Sequence, residues 1–147
     1  MPEIVTSQGM LLLTAVLGQL MVSAIQLMAQ CTNEYHDIDA DRQNAAGRTP
    51  FSGGSGVLPA GGLNPAIVLA VARVCALAAS ALALMLAAVS PLVAGIALLA
   101  LFLGWFYSAP PLALMSSGWG ELTTSFVVAC LVPVTGYVLQ SRASMLN

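Results

Sequence analysis

Apolar residues fill most of the chain in long stretches that charged residues rarely interrupt. No charged residue lies between Glu3 and Glu34, and none lies between Arg73 and Glu121. At 1.5 Å per residue, the first gap can hold one helix across a hydrocarbon core of roughly 30 Å, and the second can hold about two. We therefore predict an all-α, multi-span transmembrane helical bundle. Its spans, about four in number, are expected at residues 9–32, 64–88, 91–107 and 119–140.

The boundaries of two spans have local signals. Asn64 and Ser90 each stand directly before a proline, which places a capping side chain ahead of a proline at the first helical position. Residues 33–63, between the first two spans, are rich in polar residues, glycine and proline, so this motif loop should lie at a membrane face or line a cavity. We treat residues 1–147 as a single transmembrane domain.

Composition agrees with a membrane protein and excludes other classes. The chain is 59% hydrophobic and 7% charged, with a mean hydropathy of +0.90, unlike a soluble domain. The net charge of −2, without a basic stripe, makes nucleic acid an unexpected partner. Arg42 and Arg48 lie in the motif loop against Arg142 at the far end, which favours a cytoplasmic loop. We expect an integral protein of the cell inner membrane, surrounded by lipid bilayer.

Four of the six acidic residues are concentrated within residues 33–48. In a helix, Asn33, Asp37 and Asp41 are four residues apart and share one face, with Glu34 beside them. Like charges so close repel each other, and hard oxygen ligands suit Mg²⁺ completed by water and phosphate. We predict that Asp37, Asp41 and Glu34 bind Mg²⁺, which in turn binds a diphosphate. A solvated helix end is the alternative.

The polar face continues back into the first span. Gln19, Ser23, Gln26 and Gln30 are spaced by 4, 3 and 4 residues, in line with Asn33. Such a face is expected for the wall of a substrate cavity, and hydrogen bonding between helices is the alternative.

Three arginines are further candidates. Arg48 and Arg42 follow the acidic segment and offer planar donors to phosphate oxygens, although a merely solvated Arg42 is an open alternative. Arg73 lies roughly 13 Å into the second span, where a charge should face the bundle or snorkel towards the loop side. An ion pair with a carboxylate is the alternative role for Arg73.

Several segments resemble one family in order and spacing. "NEYHDIDAD" at residues 33–41 resembles the first aspartate-rich motif of the UbiA-type membrane prenyltransferases, Asn-Asp-x-x-Asp-x-x-x-Asp, with Glu34 departing at the second position. "RTPFSGGSGVLPAG" at 48–61 resembles a loop of the 1,4-dihydroxy-2-naphthoate polyprenyltransferase branch. "YSAPPLALMSSGWGE" at 107–121 and "LVPVTGYVLQ" at 131–140 are similar to later family segments.

The resemblance implies a helical membrane fold with a central cavity and a Mg²⁺-dependent prenyltransferase activity. The substrates would be a polyprenyl diphosphate and an aromatic acceptor of quinone biosynthesis, with 1,4-dihydroxy-2-naphthoate of menaquinone synthesis favoured. Asn33, Arg48 and Arg42 would bind the diphosphate, and Asp37, Asp41 and Glu34 the metal. The expected cavity lining is Gln26, Gln30, Arg73 and Tyr107.

The chain also departs from the family pattern. It has no Asp after Asp41, where the family uses a second aspartate-rich motif, and no Lys or Arg between Tyr107 and Glu121. We expect roughly half of a UbiA-type fold, from a fragment, a truncated gene or one subunit that pairs with a missing C-terminal half. The isolated chain should then have little transferase activity. The alternative is a non-catalytic membrane protein that binds a prenyl diphosphate or acts structurally.

Overall fold

The structure is a computed structural model that describes residues 2–47 and 54–145. About 80% of the chain is helical, and the described residues form no strand, which confirms the all-α prediction. The α-helices are α1 (Pro2–His36), α2 (Ile38–Gln43), α3 (Pro65–Ala87), α4 (Pro91–Trp105), α5 (Gly120–Phe126) and α6 (Val132–Met145).

Within the described residues, three helical segments are long and apolar enough to cross a bilayer. They are Gly9–His36, Pro65–Ala87 and Met115–Ser141, with 28, 23 and 27 residues. The remaining apolar helix, Pro91–Trp105, has 15 residues and extends about 22 Å, less than the thickness of a hydrocarbon core. The prediction of a membrane helical bundle is confirmed: the described residues form three long spans, and the predicted span 91–107 is a shorter apolar helix.

The outer surface of the bundle is apolar, as expected for a protein in lipid. At most 22% of each span's most apolar window is buried inside the chain. Large aliphatic side chains point outward instead, including Leu77 at 71% exposed and Leu84 at 67%. A soluble protein rarely exposes so continuous an apolar surface, whereas lipid tails solvate it without cost. The chain is an integral membrane protein.

Helix α1 lies at the centre and packs against α3, α4 and α6. Its residues Met21 and Met28 are fully buried, and the neighbouring helices present alanines such as Ala83 and Ala97 to this core. Gly104 of α4 lies so close to α1 that an added Cβ would be 3.3 Å from the methyl carbon of Met28. Small residues at these contacts allow the helices to approach closely, which gives membrane helices their packing energy.

Two helix starts follow from local sequence. The Asn64 side chain accepts a hydrogen bond from the Ala66 N–H at 2.9 Å, and Pro65 begins α3. Ser90 is extended and Pro91 begins α4. A proline at the first helical position loses no hydrogen bond, because that N–H has no partner within the helix.

The last span is interrupted by two wider π-helical turns. Met115–Trp119 precedes α5, and Val127–Leu131 separates α5 from α6. Pro133 follows the second turn and cannot donate a backbone hydrogen bond. The carbonyls of the preceding turn therefore accept hydrogen bonds from five residues further along, in the wider π-helical pattern. This turn places Val127 and Val128 against the groove described next.

Candidate functional site

A groove of about 380 Å³ lies between α1, α4 and the last span. Gln26, Gln30 and Asn33 of α1 form its polar side. Most of the rest is apolar, apart from Tyr107 after α4 and two threonines of α5. The remaining lining residues are Ile25, Ala29, Ala100, Leu103, Gly104, Thr123, Thr124, Val127 and Val128. The groove can thus hold an apolar chain that has a polar group at the Asn33 end.

The polar face of α1 divides between two grooves. Gln19 lies in a second groove of about 240 Å³ between α1 and α6, where Gln140 and Thr135 also contribute. The Gln19 amide donates a hydrogen bond to Ser23 Oγ at 3.2 Å. A narrower space of about 60 Å³ lies between the two grooves and shares Gln26 with the first and Thr135 with the second. The cavity surface therefore follows α1 along much of its length.

Asn33 connects the acidic segment to the loop after α4. Its Nδ2 donates to Asp37 Oδ2 at 2.6 Å and to Ser108 Oγ at 2.8 Å. Ser108 is buried and lies 75 residues further along the chain. Because Asn33 also lines the groove, Asp37 adjoins the polar end of the groove.

Asp37 and Asp41 lie on the same side of the chain. The helix breaks for one residue at Asp37, yet the Asp37 N–H donates to Asn33 O at 2.9 Å and the Asp41 N–H to Asp37 O at 2.8 Å. The i to i−4 hydrogen-bond register is therefore kept through the break. Burial of the carboxyl, followed by the negative charge of Asp41, raises the pKa of Asp37 above its ordinary value of 3.8, and the Asn33 hydrogen bond opposes this rise.

Glu34, in the last turn of α1, is buried at 7% exposed and contacts the later part of the motif loop at Ser55. Its Oε1 accepts hydrogen bonds from the Ser55 N–H at 2.7 Å and from Gln30 Nε2 at 3.3 Å, and its Oε2 accepts from Ser55 Oγ at 2.8 Å. Gly54 lies against the Asp41 carboxylate, where an added Cβ would overlap Oδ2. The part of the motif loop at Gly54 and Ser55 therefore rests directly on the acidic segment.

Two of the predicted arginines, Arg42 and Arg73, lie away from this groove. Arg42 lies on the other side of α2, where its Nη1 is 3.2 Å from Asp39 Oδ1 in an exposed ion pair. Arg73 is exposed on α3 and is not part of the groove lining. Arg48 falls outside the described residues. Helical phase explains the first placement, because position 42 is about 140° around the helix from position 37.

The carboxylates at this site suit a Mg²⁺ ion that also takes ligands from water and substrate, rather than an ion enclosed by protein ligands alone. Within residues 2–47 and 54–145, no three His, Cys, Asp or Glu side chains gather closely enough to hold a metal ion. Mg²⁺ commonly takes one or two carboxylates and completes its shell with water and substrate phosphates. Asp37 and Asp41 match that requirement, and a cation between them would relieve the repulsion that disfavours ionised Asp37.

Several residues at this site do not stand out from the sequence. Ser55 and Ser108 are separated by 21 and 75 residues from the motif side chains that they contact. Ser108 follows Tyr107 in the segment quoted for its family resemblance, which is a weak signal for its place at the site. No local pattern identifies Ser55 as a partner of Glu34.

Comparison with known proteins places these features in one family. The chain matches no curated protein and no solved structure. The model of the UbiA prenyltransferase family matches residues 4–146, which takes in the acidic segment, the groove and the last span. The chain therefore belongs to the UbiA prenyltransferase family.

Proposed function

We propose that the chain binds a polyprenyl diphosphate through Mg²⁺ at Asp37 and Asp41, for transfer of the prenyl group to an aromatic acceptor. Family membership implies a membrane prenyltransferase, and such enzymes generally depend on a divalent metal. One observation carries the proposal for this site. Asp37 is bonded to Asn33 at the polar end of a mostly apolar groove between membrane helices, and Asp41 lies one helical turn further on the same side of the chain.

The two ends of the substrate suit the two parts of this site. The diphosphate is charged and fits the Asp37 and Asp41 end with its cation, while the prenyl chain is apolar and fits the groove wall formed by residues such as Leu103 and Val127. Bound Mg²⁺ would neutralise charge on the diphosphate as it leaves. The apolar wall would keep water away from the prenyl cation until the aromatic ring attacks it.

For the acceptor, we propose 1,4-dihydroxy-2-naphthoate, and menaquinone synthesis as the pathway. The support is the resemblance of residues 48–61 to the loop of that branch. Its described part contacts the acidic segment, with Gly54 against the Asp41 carboxylate and Ser55 bonded to Glu34, which supports a place for this loop near the reacting groups.

We further propose that the 147-residue chain binds substrate but transfers the prenyl group poorly. No Asp follows Asp41, and Arg42 is paired with Asp39. A diphosphate carries up to three negative charges and is expected to need more than one cationic anchor. The second anchor would be a cation held by a further carboxylate cluster on a partner half.

The test is a binding titration on the full chain reconstituted in lipid nanodiscs. Farnesyl diphosphate is the probe, with Mg²⁺ or with EDTA, and farnesol serves as the control that lacks the diphosphate. We expect saturable diphosphate binding in Mg²⁺ and at least a tenfold loss in EDTA, with farnesol unaffected. Equal binding in EDTA would contradict the metal site.

A parallel assay adds 1,4-dihydroxy-2-naphthoate and measures the prenylated product. We expect almost none from the chain alone. Turnover with naphthoate would disprove the claim of low transfer and support the acceptor, whereas turnover with a different aromatic acid alone would reject the acceptor.

A further inference from the structure

Glu34 is a buried carboxylate whose contacts differ from those expected of a metal ligand. An ionised carboxylate is retained away from water only where donors or a cation compensate it. Three hydrogen bonds do so here, at 2.7, 2.8 and 3.3 Å, and two of them come from Ser55. Most of the acceptor capacity of Glu34 is thereby occupied, because a carboxylate offers about four acceptor positions.

The two bonds from Ser55 form a pair on the two oxygens of one carboxylate. The backbone N–H donates to Oε1 and the hydroxyl donates to Oε2. Hydrogen bonds to an ionised acceptor are stronger than neutral ones, and a two-point contact also sets orientation. Ser55 Oγ accepts in addition from the Val57 N–H at 3.2 Å, so the same hydroxyl orders the following turn.

The position of the loop affects the neighbouring Asp41. Gly54 has a φ of +61°, a conformation that favours glycine, and a Cβ built on it would overlap the Asp41 carboxylate. Leu58, at 2% exposed, anchors the other end of this short segment. Fixing Ser55 therefore fixes the backbone that covers one side of Asp41.

We propose that Glu34 is a positioning residue that fastens the motif loop at Ser55 and thereby holds the Gly54 backbone over Asp41. Glu34 then leaves the binding of Mg²⁺ to Asp37 and Asp41. The proposal rests on the function proposed above for those two carboxylates. The loop contact can, however, be measured whether or not the chain binds a prenyl diphosphate.

The first experiment measures hydrogen–deuterium exchange of residues 54–61 by mass spectrometry in nanodiscs. Glu34→Ala and Ser55→Ala should each raise the exchange rate of this segment about tenfold. Glu34→Gln should raise it less than threefold, because an amide still accepts from the Ser55 N–H and can donate to Ser55 Oγ. The double Ala variant should match Glu34→Ala, because both changes remove one shared contact. Asp39→Ala, an exposed acid on the same segment, is the control and should leave exchange unchanged.

The second experiment measures the Mg²⁺ concentration that half-saturates farnesyl diphosphate binding. Glu34→Gln should shift it less than threefold, and Asp37→Asn should raise it at least tenfold. A tenfold rise in Glu34→Gln with native loop exchange would assign Glu34 to the metal and overturn the proposal. Native loop exchange in Ser55→Ala would also overturn it, even if Glu34→Ala does not fold. A native chain without Mg²⁺-dependent binding would refute the proposed function, and the exchange data alone would then decide whether Glu34 holds the loop.

Discussion

The two sides of the short acidic segment, residues 37–42, differ in their burial and in their contacts. Asp37 and Asp41 are partly buried, lie beside the groove, and contact Asn33 and Gly54 respectively. Asp39 and Arg42 are 86% and 55% exposed and pair with each other. Within residues 37–42, Asp39 thus has a different environment from Asp37 and Asp41.

Helical phase and burial together explain this difference. Residues 37 and 41 are one helical turn apart and face the bundle, whereas residue 39 is about 160–200° away from both and faces solvent. A carboxylate that is held near another negative charge and away from water has an unfavourable ionised form, which a cation can relieve. The exposed Asp39 already has a positively charged partner in Arg42 and needs no metal for charge balance. A cluster of acids therefore indicates a metal site only for those members that share a side and are partly buried.

The largest expected effect distinguishes the two sides of the acidic segment directly. Asp37→Asn and Asp41→Asn should each weaken Mg²⁺-dependent binding of farnesyl diphosphate by about 10–100-fold, because each removes a charged oxygen ligand. Asp39→Asn should change it less than twofold. Isothermal titration of the reconstituted variants measures both. Equal losses for Asp39 and Asp37 would mean that net charge, and not position, governs binding.

A smaller effect is expected from the contact that covers Asp41. Gly54→Ala should weaken binding of farnesyl diphosphate about tenfold. The left-handed conformation is roughly 1–2 kcal/mol less favourable for a residue with a Cβ, and this Cβ would also collide with the Asp41 carboxylate. Gly61→Ala is a matched control, because Gly61 has a φ of +73° but nothing within 4 Å of its added Cβ. If both variants bind equally weakly, backbone strain alone explains the loss.

Asp37→Asn should raise thermal stability although it weakens binding of farnesyl diphosphate. The folded pKa of Asp37 is raised above 3.8, so the folded state binds this proton more tightly than the unfolded state. Stability of the metal-free protein should then fall as pH rises from 3.8 through the raised pKa, and stay lower above it. Asp37→Asn should raise the melting temperature at pH 7 in EDTA by a few degrees and reduce this pH dependence. A lower melting temperature in that variant would contradict the unfavourable environment assigned to the ionised carboxyl.

The smallest effect is expected on the solvent side. Breaking the Asp39–Arg42 pair should cost about 0.5 kcal/mol or less, because exposed ion pairs are screened and their side chains lose entropy. A double-mutant cycle with Asp39→Asn and Arg42→Gln, followed by thermal unfolding, measures the coupling. Coupling well above 1 kcal/mol would show that this side is also organised.

Local features of the fold could be predicted well from the sequence. The starts of α3 and α4 follow from Asn64-Pro65 and Ser90-Pro91, because capping and proline effects depend on neighbours in the chain. The long apolar runs identified the membrane helices for the same reason. The length of α4 was less predictable. Its helix stops at Trp105, before a turn-rich segment in which the Tyr107 carbonyl accepts from the Met115 N–H and Ser108 Oγ accepts from Asn33, 75 residues away.

The candidate site shows the same division. The shared side of Asp37 and Asp41 was expected from a period of 3.6 residues, as was the line of Gln26, Gln30 and Asn33 that forms one wall of the groove. For Arg42 and Arg73 the sequence left more than one environment open. The exposed pair of Arg42 with Asp39 and the exposed position of Arg73 depend on which face of each helix the neighbouring helices cover.

By itself, the sequence determined that this protein is a helical membrane protein with a row of oxygen-bearing side chains on one face of its first helix. Hydropathy, capping and helical period act over a few residues, so these features need no knowledge of distant contacts. Only the tertiary structure decided that Glu34 meets Ser55 and that Asn33 meets Ser108. Those contacts depend on where the loops return to α1, and many side chains far apart in sequence together determine that path.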